Sequence, residues 1–182
     1  REGTLVARGV GLAHGGERVI LVAHEEQVTP RAGGVRRDLR DALQDLKCPV
    51  LLVPEKFDFP ESIILAYDGS DDSVYAIKQF AYLFPELANR NSLLVYSNTD
   101  AEEDFPDKIL VEELAARHFS NLTLFKLDIK PKKYFSTWIS EKKSAMLVSG
   151  SYGRSGLSQL FKKSFVKEVI ADHRLPVFIA HK

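Results

Sequence analysis

The sequence has few of the features that mark secreted, membrane and nucleic-acid-binding proteins. Its single cysteine, Cys48, cannot form an intrachain disulfide, so we expect a reducing compartment, the cytoplasm. No apolar run approaches the roughly 18 residues that a membrane-spanning helix requires. The 25 basic side chains are balanced by 25 acidic ones, which disfavours a protein that binds nucleic acid through its overall charge. We predict no membrane partner and no nucleic-acid partner.

The rest of the composition is that of an ordinary globular protein. The chain has 182 residues, of which 45% are hydrophobic and 27% are charged. This length suits one full domain, or one domain together with a fragment of another. The sequence begins at Arg1 rather than at a methionine, and we expect it to be a piece of something longer.

The charges are unevenly distributed along the chain. Residues 1–55 carry eight basic and eight acidic side chains. Residues 56–141 carry nine basic and fifteen acidic side chains, a net charge of −6, whereas residues 142–182 carry eight basic and two acidic, a net charge of +6. A positive field confined to one segment favours a local anion site. Ordinary solvated surface charge explains the same pattern, and charge alone does not decide between the two interpretations.

Strand and helix patterns alternate from Ser62 onward. Short apolar runs predict five strands: Ser62–Asp68, Ser92–Ser97, Leu122–Ile129, Ser144–Ser149 and Pro176–Ala180. Amphipathic stretches predict four helices, which begin after Ser70 or Asp71, after Asp107, at Pro131 and at Ser164. The second helix is predicted to end near Asn121, with Ile109, Leu110, Leu114 and Ala115 on one side. Strict alternation predicts a doubly wound α/β domain with a parallel five-stranded sheet covered on both faces.

The first 55 residues resemble the end of this domain. Asp45–Val53 (DLKCPVLLV) aligns with Asp172–Ala180 (DHRLPVFIA), and both segments begin an aliphatic strand with Pro-Val. These two segments are 127 residues apart in the sequence. At an offset of 126 residues, Val19–Val22 corresponds to Ala145–Val148. We interpret residues 1–55 as an incomplete first repeat that lacks its opening strands, residues 56–61 as a linker, and residues 62–182 as a complete second repeat.

Polar residues and glycines follow the first and fourth predicted strands of the second repeat. Asp68, Gly69 and Ser70 follow the first strand, and the loop Gly150–Lys163 (GSYGRSGLSQLFKK) follows the fourth. Ligands of doubly wound sheets bind at the carboxyl ends of the strands that flank the reversal of strand order. The loop contains three glycines and two lysines, and a predicted helix begins directly after it at Ser164. Glycines, positive charge and a helix amino end together favour a phosphate site.

These residues resemble the signature of the universal stress protein family. Asp68 after the first strand, then Gly150-Ser-Tyr-Gly153, nine residues and Lys163-Ser164, is similar to the family pattern Gly-x-x-Gly, nine residues, Gly-Ser or Gly-Thr. The resemblance covers residues 62–182, and residues 19–55 look like the tail of a preceding repeat, as in tandem members of the family. Lys163 stands where the family has its second glycine.

The resemblance implies a fold and a ligand. It implies a Rossmann-like fold that binds an adenine nucleotide, ATP or AMP, with Mg²⁺. By position, it implies that the adenosine lies near Ala66, Tyr67, Asp68, Gly69 and Ser70, with Val95 or Tyr96 along the adenine. Around the phosphates it implies Gly150, Ser151, Gly153, Arg154, Lys163, Ser164 and Phe165. The Lys163 side chain either crowds the phosphate loop or adds a charge to it.

The resemblance also implies that the two repeats have different roles. In the first repeat, His24 and Gln27 stand in place of Gly150 and Gly153, so we expect that half to be structural and without nucleotide. Fifth strands of two domains commonly pair in this family, and here both, Val50–Val53 and Val177–Ala180, lie in one chain. We expect self-association through these strands, within the chain or as a homodimer. The missing opening strands are expected to leave sheet edges and apolar surface.

Other chemistries fit the sequence less well. Ser164-x-x-Lys167 matches a pattern of acyl-transferring enzymes without its companion motifs. The five histidines lack paired zinc-ligand spacing, and acidic residues such as Asp71 and Asp72 are ordinary at a helix start. No general base is evident, so we expect a regulatory protein with at most slow, incidental ATP hydrolysis rather than an enzyme. The alternative is a stress protein that binds no nucleotide and acts through protein–protein contacts.

Overall fold

The computed structural model describes residues 4–11, 19–26, 48–54, 58–97, 105–127, 144–150, 175–180 and 182. Within these ranges, eight strands form one sheet: β1 Thr4–Gly11, β2 Val19–Glu26, β3 Val50–Leu52, β4 Ser62–Tyr67, β5 Asn91–Ser97, β6 Asn121–Leu127, β7 Ala145–Ser149 and β8 Val177–Ile179. The helices are α1 Asp71–Leu83 and α2 Lys108–Ala116, with a short 3₁₀ helix at Leu87–Asn89. The strand order across the sheet is β1-β2-β3-β8-β7-β4-β5-β6.

Strands β4 to β8 form the parallel five-stranded sheet that the sequence predicts. β4 lies between β5 and β7, β6 flanks β5, and β8 flanks β7, and all four pairings are parallel. Counted from β4, the spatial order is 3-2-1-4-5, which reverses between β4 and β7. The predicted α/β class is therefore confirmed. The helices predicted to begin at Pro131 and Ser164 lie outside the described residues.

The burial of the strands follows their sequences. Ile63–Tyr67 of β4 and all of β7 are buried, as expected for central strands that read as continuous apolar runs. At the edge of the sheet, residues 121–126 of β6 alternate between exposed and half-buried, and Leu122 and Leu124 pack against the core. A period of two places these two leucines on the same face.

The core contains a cluster of aromatic rings between the sheet and helix α1. The ring of Phe80, which is fully buried, stacks with Phe119 at 6.4 Å between centroids and meets Phe178 edge-on at 5.4 Å. Ile77 of α1 and Ala115 of α2 belong to the same cluster. Both helices therefore cover one face of the sheet. No helix in the described ranges is long and apolar enough to cross a membrane.

Helix α2 begins after Asp107, as predicted, but differs from its prediction in where it ends and in which side is buried. It ends at Ala116 rather than near Asn121. The prediction that Ile109 and Leu110 lie with Ala115 on one side is wrong, because they are 79% and 66% exposed whereas Val111 and Ala115 are buried. Residues 111 and 115 are one helical turn apart, and that spacing defines the buried stripe. Asp107 occupies the N-cap position with φ 48° and makes no side-chain capping hydrogen bond.

The two predicted fifth strands pair within the chain. β3 runs antiparallel to β8, with Val50 opposite Ile179, Leu51 opposite Phe178 and Leu52 opposite Val177. β2 runs parallel beside β3, as β7 does beside β8. The strands therefore have the same arrangement on each side of this ladder. That residues 1–55 derive from a repeat stays a prediction.

Strand β1 lies beside β2 in the position that β4 has beside β7. It runs antiparallel to β2, from Thr4 opposite Glu26 to Gly11 opposite Val19. No strand is predicted before Val19, so an open sheet edge is expected beside β2; that expectation is wrong, because Thr4–Gly11 pairs there. Seven residues separate β1 from β2, enough for a hairpin, whereas a parallel crossover requires a dozen or more. The connection therefore determines the direction of β1.

Candidate functional site

The carboxyl ends of β4 and β7 lie side by side where the strand order reverses. Leu65 is opposite Val148 in the parallel ladder, so Asp68 and Gly150 follow their strands at the same edge of the sheet. Crevices at such edges are the ligand sites of doubly wound sheets. The fold thus brings together two predicted site residues that are 82 positions apart in the sequence.

Asp68 orders the turn that leads from β4 into α1. Its Oδ1 accepts hydrogen bonds from the backbone N of Ser70 at 3.0 Å and from Ser70 Oγ at 2.5 Å. Ser70 Oγ in turn accepts a hydrogen bond from Ser73 N at 3.2 Å and caps the helix. Gly69 has φ 81°, a conformation that favours glycine. These contacts hold the Asp68 carboxylate in a defined position at the edge of the crevice.

Gly150 lies directly against the backbone of the first turn of α1. A Cβ atom at position 150 would lie 2.6 Å from Ser73 N and 2.7 Å from the carbonyl carbon of Asp72. Gly150 is one of the three glycines of the predicted phosphate site. The close approach that the structure shows is that of α1, so the packing of the helix already requires glycine at this position.

Carboxylates surround the amino end of α1. Asp71 and Asp72 lie in its first turn, one turn after Asp68. Lys182 contacts both: its Nζ is 3.6 Å from Asp71 Oδ2, and its backbone N donates to Asp72 Oδ1 at 3.4 Å. Acidic residues are favoured at a helix amino end by the helix dipole. Three carboxylates repel phosphate groups, so this side of the crevice suits the uncharged part of a ligand.

Three aromatic rings cluster next to Asp68, towards β5. Tyr67 and Tyr96 are opposite each other in the β4–β5 ladder, with centroids 6.3 Å apart, and we refer to them as the tyrosine pair. Phe105, which precedes α2, packs 5.5 Å from Tyr67 with ring planes inclined by 21°, and 4.9 Å from Tyr96. Its neighbour Pro106 accepts a hydrogen bond from the Tyr67 hydroxyl at 3.1 Å.

The Tyr67 hydroxyl remains protonated over the whole neutral range. Burial, followed by the nearby carboxylates of Asp107 and Asp68 and by Tyr96, raises the pKa of Tyr67 to about 12. A protonated hydroxyl is the donor that the bond to the Pro106 carbonyl requires. At physiological pH this hydrogen bond therefore holds Pro106, which precedes α2, against the end of β4.

Comparison with solved structures finds this architecture in universal stress proteins. The chain is similar to one from Archaeoglobus fulgidus DSM 4304 with a TM-score of 0.56 and 18% identity, over 79% of this chain and 53% of that one. It is similar to a universal stress protein in complex with cAMP with a TM-score of 0.53 and 17% identity, over 68% and 98% of the two chains. The chain has the universal stress protein fold.

A third structure with this fold aligns with more of the chain. It is a putative universal stress protein from Pseudomonas aeruginosa UCBPP-PA14, with a TM-score of 0.50 and 17% identity over 89% of this chain and 63% of that one. The chain thus spans about half of the Archaeoglobus protein and under two thirds of the Pseudomonas protein. No family model and no curated protein matches the sequence.

On the universal stress protein fold, the predicted adenosine-side residues occupy three environments. Ala66, Tyr67, Val95 and Tyr96 are buried in strands, Asp68 and Ser70 are half-buried, and Gly69 is exposed. Because side chains alternate along a strand, Ala66 and Val95 lie on the sheet face opposite the tyrosine pair. The predicted phosphate-side residues other than Gly150 lie outside the described residues: Ser151, Gly153, Arg154, Lys163, Ser164 and Phe165.

The corresponding place in the first half of the sheet is built differently. His24, which aligns with Gly150, lies within β2 opposite Val6 of β1. Gln27, which aligns with Gly153, lies outside the described residues. β2 runs parallel to β3 but antiparallel to β1, the strand in the position that β4 has beside β7. This half therefore has no counterpart of the adjacent parallel ends of β4 and β7.

Sequence reasoning missed Phe105, Pro106 and Lys182. Each reaches the crevice through tertiary contacts, and the sequence around Phe105 shows only a proline before a helix. Among the residues that the structure describes, no group of three or more His, Cys, Asp or Glu side chains is placed to hold a metal ion.

Proposed function

We propose that the chain is a universal-stress-type regulatory protein whose second repeat, residues 62–182, binds an adenine nucleotide, ATP or AMP. The observation that supports this most directly is the position of Asp68 and Gly150 at adjacent parallel strand ends where the strand order reverses. A protein with the same fold and 17% identity was solved in complex with cAMP, which supports the class of ligand.

The charges around the crevice orient the proposed ligand. The Asp68 carboxylate accepts hydrogen bonds from ribose hydroxyls, while Asp71 and Asp72 keep the phosphates away from α1. The phosphates lie towards the loop Gly150–Lys163, within the segment 142–182 that carries a net charge of +6. Mg²⁺ accompanies the phosphates of the nucleotide.

We propose a regulatory role rather than catalysis, with at most slow, incidental ATP hydrolysis. Asp68 Oδ1 already accepts two hydrogen bonds from Ser70, which hold the carboxylate as part of a turn rather than directed at an attacking water. Nucleotide occupancy then changes the conformation or the partner binding of the protein.

Calorimetric titration with ATP and AMP, with and without Mg²⁺, tests the proposal once carried-over nucleotide has been removed. We expect saturable binding of about one nucleotide per chain, abolished by Gly153→Val and weakened by Asp68→Asn. The matched control is Asp58→Asn, the same chemical change at an exposed residue. No binding at millimolar nucleotide would overturn the proposal.

Lys163→Gly distinguishes the two roles of the lysine. If the side chain crowds the phosphate loop, the glycine variant binds ATP more tightly than the natural chain. If the ammonium contacts phosphate, the variant binds ATP more weakly and AMP almost equally, because AMP carries fewer phosphates.

A second candidate function is protein–protein contact without nucleotide. The exposure of Ile109 and Leu110 at the start of α2 favours it, because both side chains are large, apolar and adjacent. Under this alternative the titration shows no saturable nucleotide binding, and Ile109→Ser with Leu110→Ser weakens binding of a purified partner without changing the stability of the chain.

A further inference from the structure

The ring of Phe105 packs against the tyrosine pair, next to the carboxyl end of β4. Its plane is inclined by 21° to that of Tyr67 at 5.5 Å, an offset stack, and it is 4.9 Å from Tyr96. Nucleotide bases adopt the same kind of stack on aromatic side chains. Phe105 therefore already makes the contact that the tyrosine pair would offer to a base.

Two further contacts fasten this segment to the end of β4. The Tyr67 hydroxyl donates a hydrogen bond to the carbonyl of Pro106 at 3.1 Å. The Pro106 Cγ atom lies 2.9 Å from the position that a Cβ of residue 69 would take, so the proline ring packs on Gly69. Phe105 and Pro106 thus contact the residues on either side of Asp68, the proposed ribose ligand.

We propose that Phe105 is an intramolecular competitor for the nucleotide base: its ring occupies the surface of the tyrosine pair, and a base binds there only after displacing it. This inference rests on the proposed nucleotide site. The phosphate side of the crevice is not involved, because Phe105 lies on the β5 side of Asp68 and Gly150 lies on the β7 side.

The competition has a measurable consequence. The apparent affinity of a ligand is reduced by the fraction of molecules in which its site is open. Removing the Phe105 ring increases that fraction for ligands that carry a base. Inorganic tripolyphosphate has no base, so its binding does not depend on the position of Phe105.

The experiment compares ATP with tripolyphosphate on the full chain. In Phe105→Ala we expect the Kd for ATP to fall about tenfold, as for a site that is open in roughly a tenth of the molecules, while the Kd for tripolyphosphate stays within about twofold. Tyr67→Phe keeps the ring and removes the hydrogen bond to Pro106, so it lowers the Kd for ATP by a smaller factor. Glu112→Ala, an exposed change in α2, leaves both values unaltered.

The outcomes separate this inference from the proposed function. If the natural chain binds ATP and Phe105→Ala binds it equally or more weakly, the competition is wrong and the nucleotide site stands. If neither protein binds ATP, the proposed function fails and the inference fails with it. Far-UV circular dichroism checks folding; if Phe105→Ala unfolds, Phe105→Leu keeps an apolar side chain without the ring and must shift the ATP Kd in the same direction.

Discussion

Leu51 lies opposite Phe178 at the centre of the antiparallel ladder that joins the two halves of the sheet. The pairs on either side of it, Val50 with Ile179 and Leu52 with Val177, make the ladder symmetric about this point. The Phe178 ring is also fully buried against Phe80 of α1. Phe178 therefore belongs both to the ladder that joins the halves of the sheet and to the hydrophobic core beside α1. A change that weakens this core is expected to weaken the ladder as well.

Phe178→Ala should remove about 3–5 kcal/mol from the free energy of unfolding, because it leaves a cavity beside Phe80 and in the β3–β8 ladder. Urea unfolding followed by circular dichroism measures the loss. Ile109→Ala, at a side chain that is 79% exposed, should change the same quantity by less than about 0.5 kcal/mol. Equal losses in the two variants would contradict the assignment of Phe178 to the core.

Gly150→Ala should destabilise the fold by about 1–3 kcal/mol, because the new methyl group meets backbone atoms of Asp72 and Ser73 that have no rotamer to change. The same urea experiment measures the effect. Glu112→Ala, an exposed change in α2, is the control and should stay within about 0.5 kcal/mol of the natural chain. A Gly150→Ala protein of natural stability would show that β7 and α1 are not in contact.

Ser70→Ala should cost about 1 kcal/mol of stability, because it removes the capping acceptor of α1 and a donor to Asp68. Ser70→Thr keeps the hydroxyl and should recover most of the loss. The midpoint temperatures of thermal unfolding rank the natural chain, Ser70→Thr and Ser70→Ala by stability. Equal stability of the alanine and threonine variants would show that the hydroxyl is not the stabilising group.

Tyr67 should make the stability of the chain fall between about pH 10 and pH 12. Its pKa is raised from the ordinary 10.0 to about 12 in the folded protein, so the unfolded chain releases this proton first as the pH rises. The stabilising contribution is complete below pH 10 and is lost as the pH approaches 12. Tyr67→Phe should show a shallower alkaline decline in urea unfolding than the natural chain; parallel declines would contradict the pKa.

The fold of residues 62–182 was predictable because its sequence signals are local. The apolar run from Ile63 to Tyr67 indicated a buried strand, and Ser70 indicated the start of α1; the structure confirms both. The buried side of α2 was not predictable, since Ile109 and Val111 are both apolar and only packing distinguishes them. Strand β1 was missed because its position depends on the short connection to β2, and no pattern within Thr4–Gly11 revealed that pairing.

The candidate site was predictable only where topology alone determines position. Asp68 and Gly150 were found because parallel strands place their carboxyl ends at one edge. The hydrogen bond from Tyr67 to Pro106 spans 39 residues, and that from Lys182 to Asp72 spans 110. Local sequence patterns do not predict contacts between residues that are so far apart in the chain. The roles of Phe105, Pro106 and Lys182 were therefore identified only from the structure.

The contact of Gly150 with α1 also has a mechanical consequence. Two backbones meet there without a side chain between them, so no rotamer change can absorb a displacement of either one. Protein interiors are close-packed and transmit strain rather than yielding to it. A shift of the end of β7, where the predicted phosphate loop begins, is therefore passed on to the first turn of α1. Because α1 is a single rigid helix, we expect a displacement of its first turn to move its carboxyl end at Leu83 as well.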